Sequence, residues 1–520
     1  MAKTLAVSER SDPRTNARVV GSVIRMGERS VLRYLAGAMD AQVWLQLSGY
    51  LYFCFIVALL VVVVLYKREP AAALAWTLAI VFMPVLGPLF FLMAGTNRVP
   101  RRLRRKLGHR EEFERSFGIP DECVSHQEPF RQKTSDSRWH RVSEMLVGLG
   151  EPGPSTGNEV ELYNNGRSAY LAIVDAIEAA EHHIHVEYYI LRDDEVGRRL
   201  IDLLKEKCKQ GVEVRLVADG VGSRDGGRLL SELRAAGGQA TTFLPPYSVR
   251  RASPHLRNHR KIVICDGVVG FFGGLNVGIE YLGWRAWNKK GKEWYDLHMC
   301  ITGPAVWDLQ MIFVEDWDYT TGERLADQPY FPPMSAAGPN TAQVIVGGPD
   351  MDPNPIREAF FAAFTGARQR IVVATPYIAP DLAVKDALVA AARSGVEVHV
   401  VTQSWPPDSY LAYFCSRSFV EQMVEAGVHV HAFTPGMMHA KAVVVDGEWA
   451  MLGTANLDNR SLRLNFEQMT LFEGEVAGTI SAELDDLMGR CREITRDELA
   501  KTPRLQRLLI AAARLFAPLI

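Results

Sequence analysis

What this chain lacks narrows it first. Its seven cysteines, at 54, 123, 208, 265, 300, 415 and 491, are odd in number and include no C-x-x-C pair. That pattern argues against a disulfide framework or a zinc ribbon and reads as buried thiols in a reducing compartment. Formal net charge is only −2, so no overall basic field points to nucleic acid. Charge is missing altogether from Ala41–Tyr66 and from residues 70–97. About 20 apolar residues span a bilayer core, so each run is long enough to cross one. The apolar core of a signal peptide is shorter and lies nearer the start than the first run does.

Only Lys67, Arg68 and Glu69 separate the two runs, which predicts a tight two-helix transmembrane hairpin. Seven basic residues precede it, from Lys3 to Arg33. Arg98, Arg101, Arg102, Arg104, Arg105, Lys106 and Arg110 follow it. The positive-inside rule puts both flanks, and the large body after them, on the cytoplasmic side of the membrane. Basic runs of this kind also attract anionic headgroups. Pro84 and Pro88 are expected to bend or break the second span, as a membrane helix tolerates. At 520 residues the chain exceeds one ordinary domain. It divides into a basic segment 1–40, the hairpin 41–97, a basic connector 98–150, two soluble halves 151–335 and 336–501, and a C-terminal helix 502–520.

The two halves echo each other. The phrase H-x-K-x-x-x-x-D-G occurs once from His259 through Lys261 to Asp266 and again from His439 through Lys441 to Asp446. Downstream, Gly273-Gly274-Leu275-Asn276 answers to Gly453-Thr454-Ala455-Asn456. Each member of the first copy precedes its counterpart by 180 residues (259 against 439, 276 against 456). One such phrase is a weak motif, but two with matched downstream Gly and Asn are not coincidence. The duplication is wider than the phrase. Helices at 168–180 and 196–210 alternate with strands at 183–190 and 212–218. Helices at 355–367 and 382–393 alternate with strands at 371–374 and 396–401. Gly211-Val-Glu-Val and Gly395-Val-Glu-Val hold equivalent places. Each half is therefore an α/β unit.

Within each phrase His and Lys are two residues apart, so on a strand they share a face. A Gly-rich loop with Asn follows, where a backbone can approach a ligand closely. Two facing units would surround one pocket with two imidazoles, two ammonium groups and two carboxamides. That is a cage for a phosphate group that needs no metal and no cofactor. Lysine and asparagine would stabilise charge on the phosphoryl oxygens, one His would attack phosphorus, and the other would serve as acid and then base. Each His needs a carboxylate to fix its tautomer. Asp266 and Asp446 lie five residues beyond their lysines, on the opposite strand face, and are expected to tie the following loop. Asp296 and Glu467 are the better orienting residues.

These phrases resemble those of the phospholipase D superfamily. Arg257-Asn258-His259-Arg260-Lys261, Gly303-Pro304-Ala305-Val306, the run from Gly453 to Ser461, Asn465-Phe466-Glu467 and the apolar N-terminus are more closely similar to bacterial cardiolipin synthases. The resemblance covers residues 45–520. It implies two phospholipase D-like α/β/α sandwich halves forming one active site. Its signature positions are His259, Lys261, Asp266, His439, Lys441 and Asp446, with Asn276 and Asn456 binding phosphate and Asp296 and Glu467 orienting the histidines. It implies transfer of a phosphatidyl group from one phosphatidylglycerol to another, with release of glycerol and His259 as nucleophile. A lipid hydrolase, or a phosphatidyltransferase with another donor or acceptor, would use the same residues. Membrane lipid is the expected partner and nucleic acid is not.

Four features stand apart from that reading. The segment Gly283 to Lys292, with Trp284 and Trp287, varies in the family and reads as an exposed turn or a membrane contact. Pro406-Pro407-Asp408 matches the family loosely and bears on acceptor choice. His182, His183 and His185 read as a strand edge rather than a metal set. Leu505, Leu508, Leu509, Leu515 and Phe516 recur at helical spacing, which suits either an interfacial membrane helix or an ordinary docked one.

Overall fold

A computed structural model describes residues 41–66, 70–95, 129, 131, 138–245, 255–283, 293–326 and 328–520. The basic N-terminal segment, most of the basic connector and the stretch around Trp284 and Trp287 lie outside the described residues. The chain forms two compact units divided after Thr96.

In the first unit Ala41–Tyr66 is one helix. Its stretch Trp44–Leu65 is long and apolar enough to cross a membrane. It has no polar face, and Leu45, Phe53 and Leu65 are exposed. The second apolar run is interrupted, at one of the prolines expected to bend or break it. It is helical from Pro70 to Phe82, breaks, resumes over Leu86–Phe90 and ends in a π-helical turn, Phe91–Gly95. The break falls at Pro84, which cannot donate a backbone hydrogen bond and crowds the preceding turn. Gly87 lies against that turn, where a Cβ would meet the Ala79 carbonyl oxygen at 2.2 Å. Leu59 and Val63 pack with Ile80 and Phe91.

The second unit is built on one long sheet whose two halves repeat the same strand order. From the middle outward, the first half runs His298–Thr302, Val269–Gly273, Lys261–Cys265, His183–Tyr188, Glu213–Asp219 and Gln239–Phe243. The second runs Asn465–Glu473, Trp449–Gly453, Ala442–Val445, Arg370–Ala374, Glu397–Gln403 and His429–Phe433. In both, the outer three strands are parallel and the inner ones antiparallel. Ser155–Tyr163 and Asn340–Gly347 pair antiparallel between the halves and close the seam.

Local sequence explains the repeated elements. Asn165, Asp194, Asn354 and Asp381 each cap a helix, their side-chain oxygens accepting amides of the first turn. Gly211 and Gly395 follow equivalent helices at φ of 90° and 95°, a left-handed turn that glycine adopts without strain, and lead into equivalent strands. The helix Val306–Thr321 is buried almost throughout and packs on the first half's sheet. Phe272 and Phe472 stack across the seam at 6.4 Å, so the halves share a core.

Candidate active site

His259 and His439 reach the same cavity, of about 380 Å³, together with Asn276 and Asn456. Each histidine stands just before its strand, which begins at Lys261 or Ala442, rather than within it. What holds each one is the opposite half. Arg257–Asn258 pairs in parallel with Asn465–Phe466, and the His259 amide donates to the Phe466 carbonyl at 2.9 Å. The residues next along are His259 and Glu467, and His259 Nδ1 lies 2.9 Å from Glu467 Oε2. The second pairing repeats the first. Gly436–Met438 runs parallel to Glu293–Tyr295, the His439 amide donates to the Tyr295 carbonyl at 2.8 Å, and His439 Nδ1 lies 2.7 Å from Asp296 Oδ2. Main-chain register thus delivers each carboxylate to the other half's imidazole.

That pairing fixes the tautomers. A carboxylate can only accept, so each Nδ1 carries the proton and each Nε2 keeps its lone pair. Lys441 Nζ also lies 3.0 Å from His439 Nδ1, but Nδ1–H cannot accept while it donates to Asp296. The ammonium group instead donates to the His439 carbonyl oxygen. Lys261 Nζ donates to the His259 carbonyl at 2.5 Å and stands 5.5 Å from the Tyr189 ring centre. Tyr189 is edge-on to His259, while Trp294 and Tyr281 wall His439.

The two carboxylate sites are built differently. Glu467 also accepts from the Thr454 hydroxyl at 2.5 Å and from Asn465 Nδ2 at 3.0 Å. Asp296 has the shorter arm and accepts from the Leu297 amide at 2.9 Å. Where the second copy has Thr454, the first has Gly274, and a Cβ there would meet Asp296 Oδ1 at 1.9 Å. The glycine leaves room for the carboxylate, and the hydroxyl is traded for space.

Burial sets the electrostatics. It lowers His259 to about 4, with Glu467 opposing and Lys261 assisting. Burial lowers His439 too, aided by Lys441. Lys261 is brought down to about 7 and Lys441 to about 8. Burial pushes Asp296 and Glu467 upward, but Lys441 and the His439 hydrogen bond outweigh it at Asp296, the His259 hydrogen bond and Lys261 outweigh it at Glu467, and both carboxyls end below their usual range. The cage therefore holds two ionised carboxylates, two neutral imidazoles and two easily titrated amines.

Asn276 is brought to the cavity with its side-chain oxygen accepting the Ile190 amide at 3.1 Å, which leaves its NH₂ to donate. The third members of the two phrases are not brought there. Asp266 accepts the amides of Glu181, His182 and His183 at 2.8–2.9 Å. Asp446 accepts those of Arg368, Gln369 and Arg370. Each ties the turn that leads into the neighbouring strand rather than the loop that follows it, and neither carboxylate reaches the reacting groups. Both have positive φ, 55° and 54°, which Asp tolerates better than most residues.

Several residues in or behind the cavity have no signature of their own in the sequence. Behind His259, Glu187, Asp316, Asn258 and Arg260 form a buried cluster. Asn258 donates to Glu187 and to Asp316, and Arg260 donates to Asp316 and to the Glu467 carbonyl. Burial, and then the Asp316 charge, drive the Glu187 carboxyl well above its usual range. Asn258 and Arg260 flank His259 in sequence, and that adjacency was the available signal. Tyr377, hydrogen-bonded to Asp408, brings the loosely matching Pro406-Pro407-Asp408 loop to the cavity wall. Asp458, raised to about 6 by burial, also lines it. His183 and His185 lie apart from it, stacked among Phe313 and Tyr330.

Known proteins are similar to this chain in sequence and in fold. The family model described as "Cardiolipin synthase, PLD-like domain" matches residues 173–288 and 360–491, one stretch in each half. A second, "Phospholipase_D-nuclease N-terminal", matches residues 55–95. The chain is 35% identical over 516 residues to a cardiolipin synthase of Geobacillus kaustophilus, covering 98% of this chain and 100% of that one. It is 35% identical over 470 residues to cardiolipin synthase 2 of Bacillus anthracis, covering 88% and 89%. In fold it resembles the crystal structure of phosphatidylserine synthase from Haemophilus influenzae, with a TM-score of 0.57 at 16% identity over 74% of this chain and 100% of that one.

Proposed function

Because the chain belongs to the phospholipase D-like cardiolipin synthases, we propose that its two-half cage moves a phosphatidyl group between two phosphatidylglycerol molecules. It is a phosphatidyltransferase. The observation that carries the residue roles is the crossed pairing of His259 with Glu467 and His439 with Asp296 around one cavity.

The reaction runs in two displacements. The phosphodiester anion of the first phosphatidylglycerol enters among Lys261, Lys441, Asn276 and Asn456, which bind its non-bridging oxygens. Its charge raises the affinity of His439 for a proton, which Nε2 takes up from solvent. His259 Nε2, neutral and oriented by Glu467, attacks phosphorus. As the new N–P bond forms, the bond to the glycerol oxygen breaks and His439 gives that oxygen its proton. Glycerol departs. A hydroxyl of the second phosphatidylglycerol then gives its proton to His439 and attacks the phospho-histidine, forming cardiolipin and freeing His259. Glu467 and Asp296 stabilise whichever imidazole is cationic. Asp266 and Asp446 act in folding rather than chemistry.

The enzyme is membrane-associated. The apolar run Trp44–Leu65, the second run after it and the arginine-rich flanks support a two-pass hairpin with the catalytic body on the cytoplasmic side. We read residues 151–335 and 336–501 as the two halves of that body. Asp408 and Ser409 at the cavity wall favour a role for their loop in accepting the second lipid.

The test is chemical. Full-length protein in mixed micelles with headgroup-labelled phosphatidylglycerol should release glycerol and form cardiolipin. Phosphatidic acid as the sole lipid product would replace transfer with hydrolysis. Protein rapidly denatured at neutral pH, where the acid-labile N–P bond survives, should carry the phosphatidyl group on His259, and an adduct on His439 instead would reverse the two roles.

A further inference from the structure

The C-terminal helix Arg504–Arg514 is docked with the wrong face inward for an ordinary surface helix. Ile510, Ala513 and Ala517 are buried, the alanines against Cys415 and Ala379. The leucine stripe faces out: Leu505 is 71% exposed, Leu508 65% and Leu515 79%. At about 100° per residue these leucines, with Leu509 and Phe516, fall within an arc of about 120°, centred roughly 130° round the helix from the residues that dock it. An amphipathic helix folding onto its own protein would bury the leucines and expose the alanines.

Two further observations say what covers this face. The first is continuity with the site. Beyond the helix, Leu519 and Ile520 line the catalytic cavity, and so does Leu411 from the neighbouring helix Tyr410–Glu425. Asn459 and Arg460, which follow the second Asn of the cage, hold this segment through the Ala517, Leu519 and Ile520 carbonyls. Trp405 and Tyr410 are exposed beside Leu411 and meet edge to face, their ring centres 5.4 Å apart, a residue pair suited to the headgroup level of a bilayer. The second observation is charge. Lys501, Arg504, Arg507 and Arg514 are exposed along the flank of the stripe, and no Asp or Glu occurs after Glu498.

We infer that the leucine stripe, with Trp405, Tyr410 and Leu411, is a membrane-docking collar around the cavity mouth. It seats in an anionic lipid surface, so that a phosphodiester headgroup enters the cage while its acyl chains stay in the bilayer. The collar rests on the reading of the cage as acting on membrane phosphodiesters. It adds a contact separate from the N-terminal apolar runs. The basic flank meets anionic headgroups, and the stripe enters the acyl boundary.

Full-length protein reconstituted in phosphatidylglycerol vesicles that carry a diazirine-bearing phosphatidylglycerol provides the test. Illumination should place lipid adducts on the peptide spanning Leu505 to Phe516 and on that containing Trp405 to Leu411. Adducts confined to the N-terminal runs would overturn the inference. Protein–protein cross-links through the leucine face in place of lipid adducts would also overturn it, in favour of a second copy as occupant. A triple variant, Leu505→Glu, Leu508→Glu and Leu515→Glu, should lose at least ten-fold activity on vesicles yet stay within two-fold on monomeric short-chain phosphatidylglycerol. Equal activity on vesicles would sink the collar. Should the variant lose both activities through misfolding, the alanine triple at the same positions makes the same comparison. Wild-type protein inactive on the monomeric lipid as well would count against the proposed reaction, while the adduct map would still decide the collar.

Discussion

At the residue scale, Lys261 and Lys441 are held far below the 10.5 of a free lysine because burial removes the water that would solvate their charge. Between about 7 and 10.5 the unfolded chain binds more protons than the folded one, so these two groups make stability rise with pH over that window. His259, lowered to about 4 from 6.5, does the same between those two values. Thermal unfolding of the ligand-free protein should therefore move to higher temperature from pH 7 to pH 9.5, and a flat profile would mean that the lysines are not desolvated. An anion in the cage reverses the shift. A soluble glycerol phosphodiester should bind at pH 8 with net proton uptake, measured calorimetrically in buffers of different ionisation enthalpy. Binding without uptake would show both amines already charged. The orienting carboxylates are tested separately. Glu467→Gln and Asp296→Asn keep the shape but no longer favour the Nδ1–H tautomer, and each should lower kcat by roughly 10²- to 10⁴-fold with little change in KM. Full activity in either variant would remove that carboxylate from the mechanism.

Among the elements, the two Asp of the phrases repay attention because they look catalytic and are placed otherwise. Asp446 gathers three successive amides at the entrance to strand Arg370–Ala374, and Asp266 does so before His183–Tyr188. Asp446→Ala leaves those amides without a side-chain acceptor and puts alanine at positive φ, so it should cost about 1–3 kcal/mol in urea unfolding. Turnover per folded molecule should stay within a few-fold of wild type, and a loss as complete as that of His439→Ala would restore Asp446 to the chemistry. The repeated strand order was readable from the β-branched runs and from the Gly-Val-Glu-Val pairs. The break in the second apolar helix was readable from Pro84. The short strands Arg257–Asn258 and Gly436–Met438 were not readable, because two or three residues carry no period and their partners lie 143 or more residues away.

For the whole molecule, the crossed carboxylates make each half incomplete alone. A chain cut between the halves should be active only while both pieces remain associated through the Ser155–Tyr163 and Asn340–Gly347 seam. Activity in either purified piece would contradict a single shared cage. Inserting one residue between Leu464 and Asn465 should shift Glu467 away from His259, since a one-residue slip turns every following side chain to the other face of the strand. That variant should lose turnover, and wild-type turnover would show that register does not set the site.

The sequence by itself determined which groups the candidate site can offer: two imidazoles, two amines and two carboxamides at matched spacing, on duplicated α/β halves after two uncharged apolar runs. It also singled out Asp296 and Glu467 as the orienting carboxylates, from their positions in the strands after each loop. Only the tertiary structure decided which carboxylate serves which histidine, because that choice belongs to main-chain pairing between distant strands. It also turned the leucines of the last helix outward, because a helix that can dock by small residues leaves its large ones free, and no periodicity in the chain says which side is occupied.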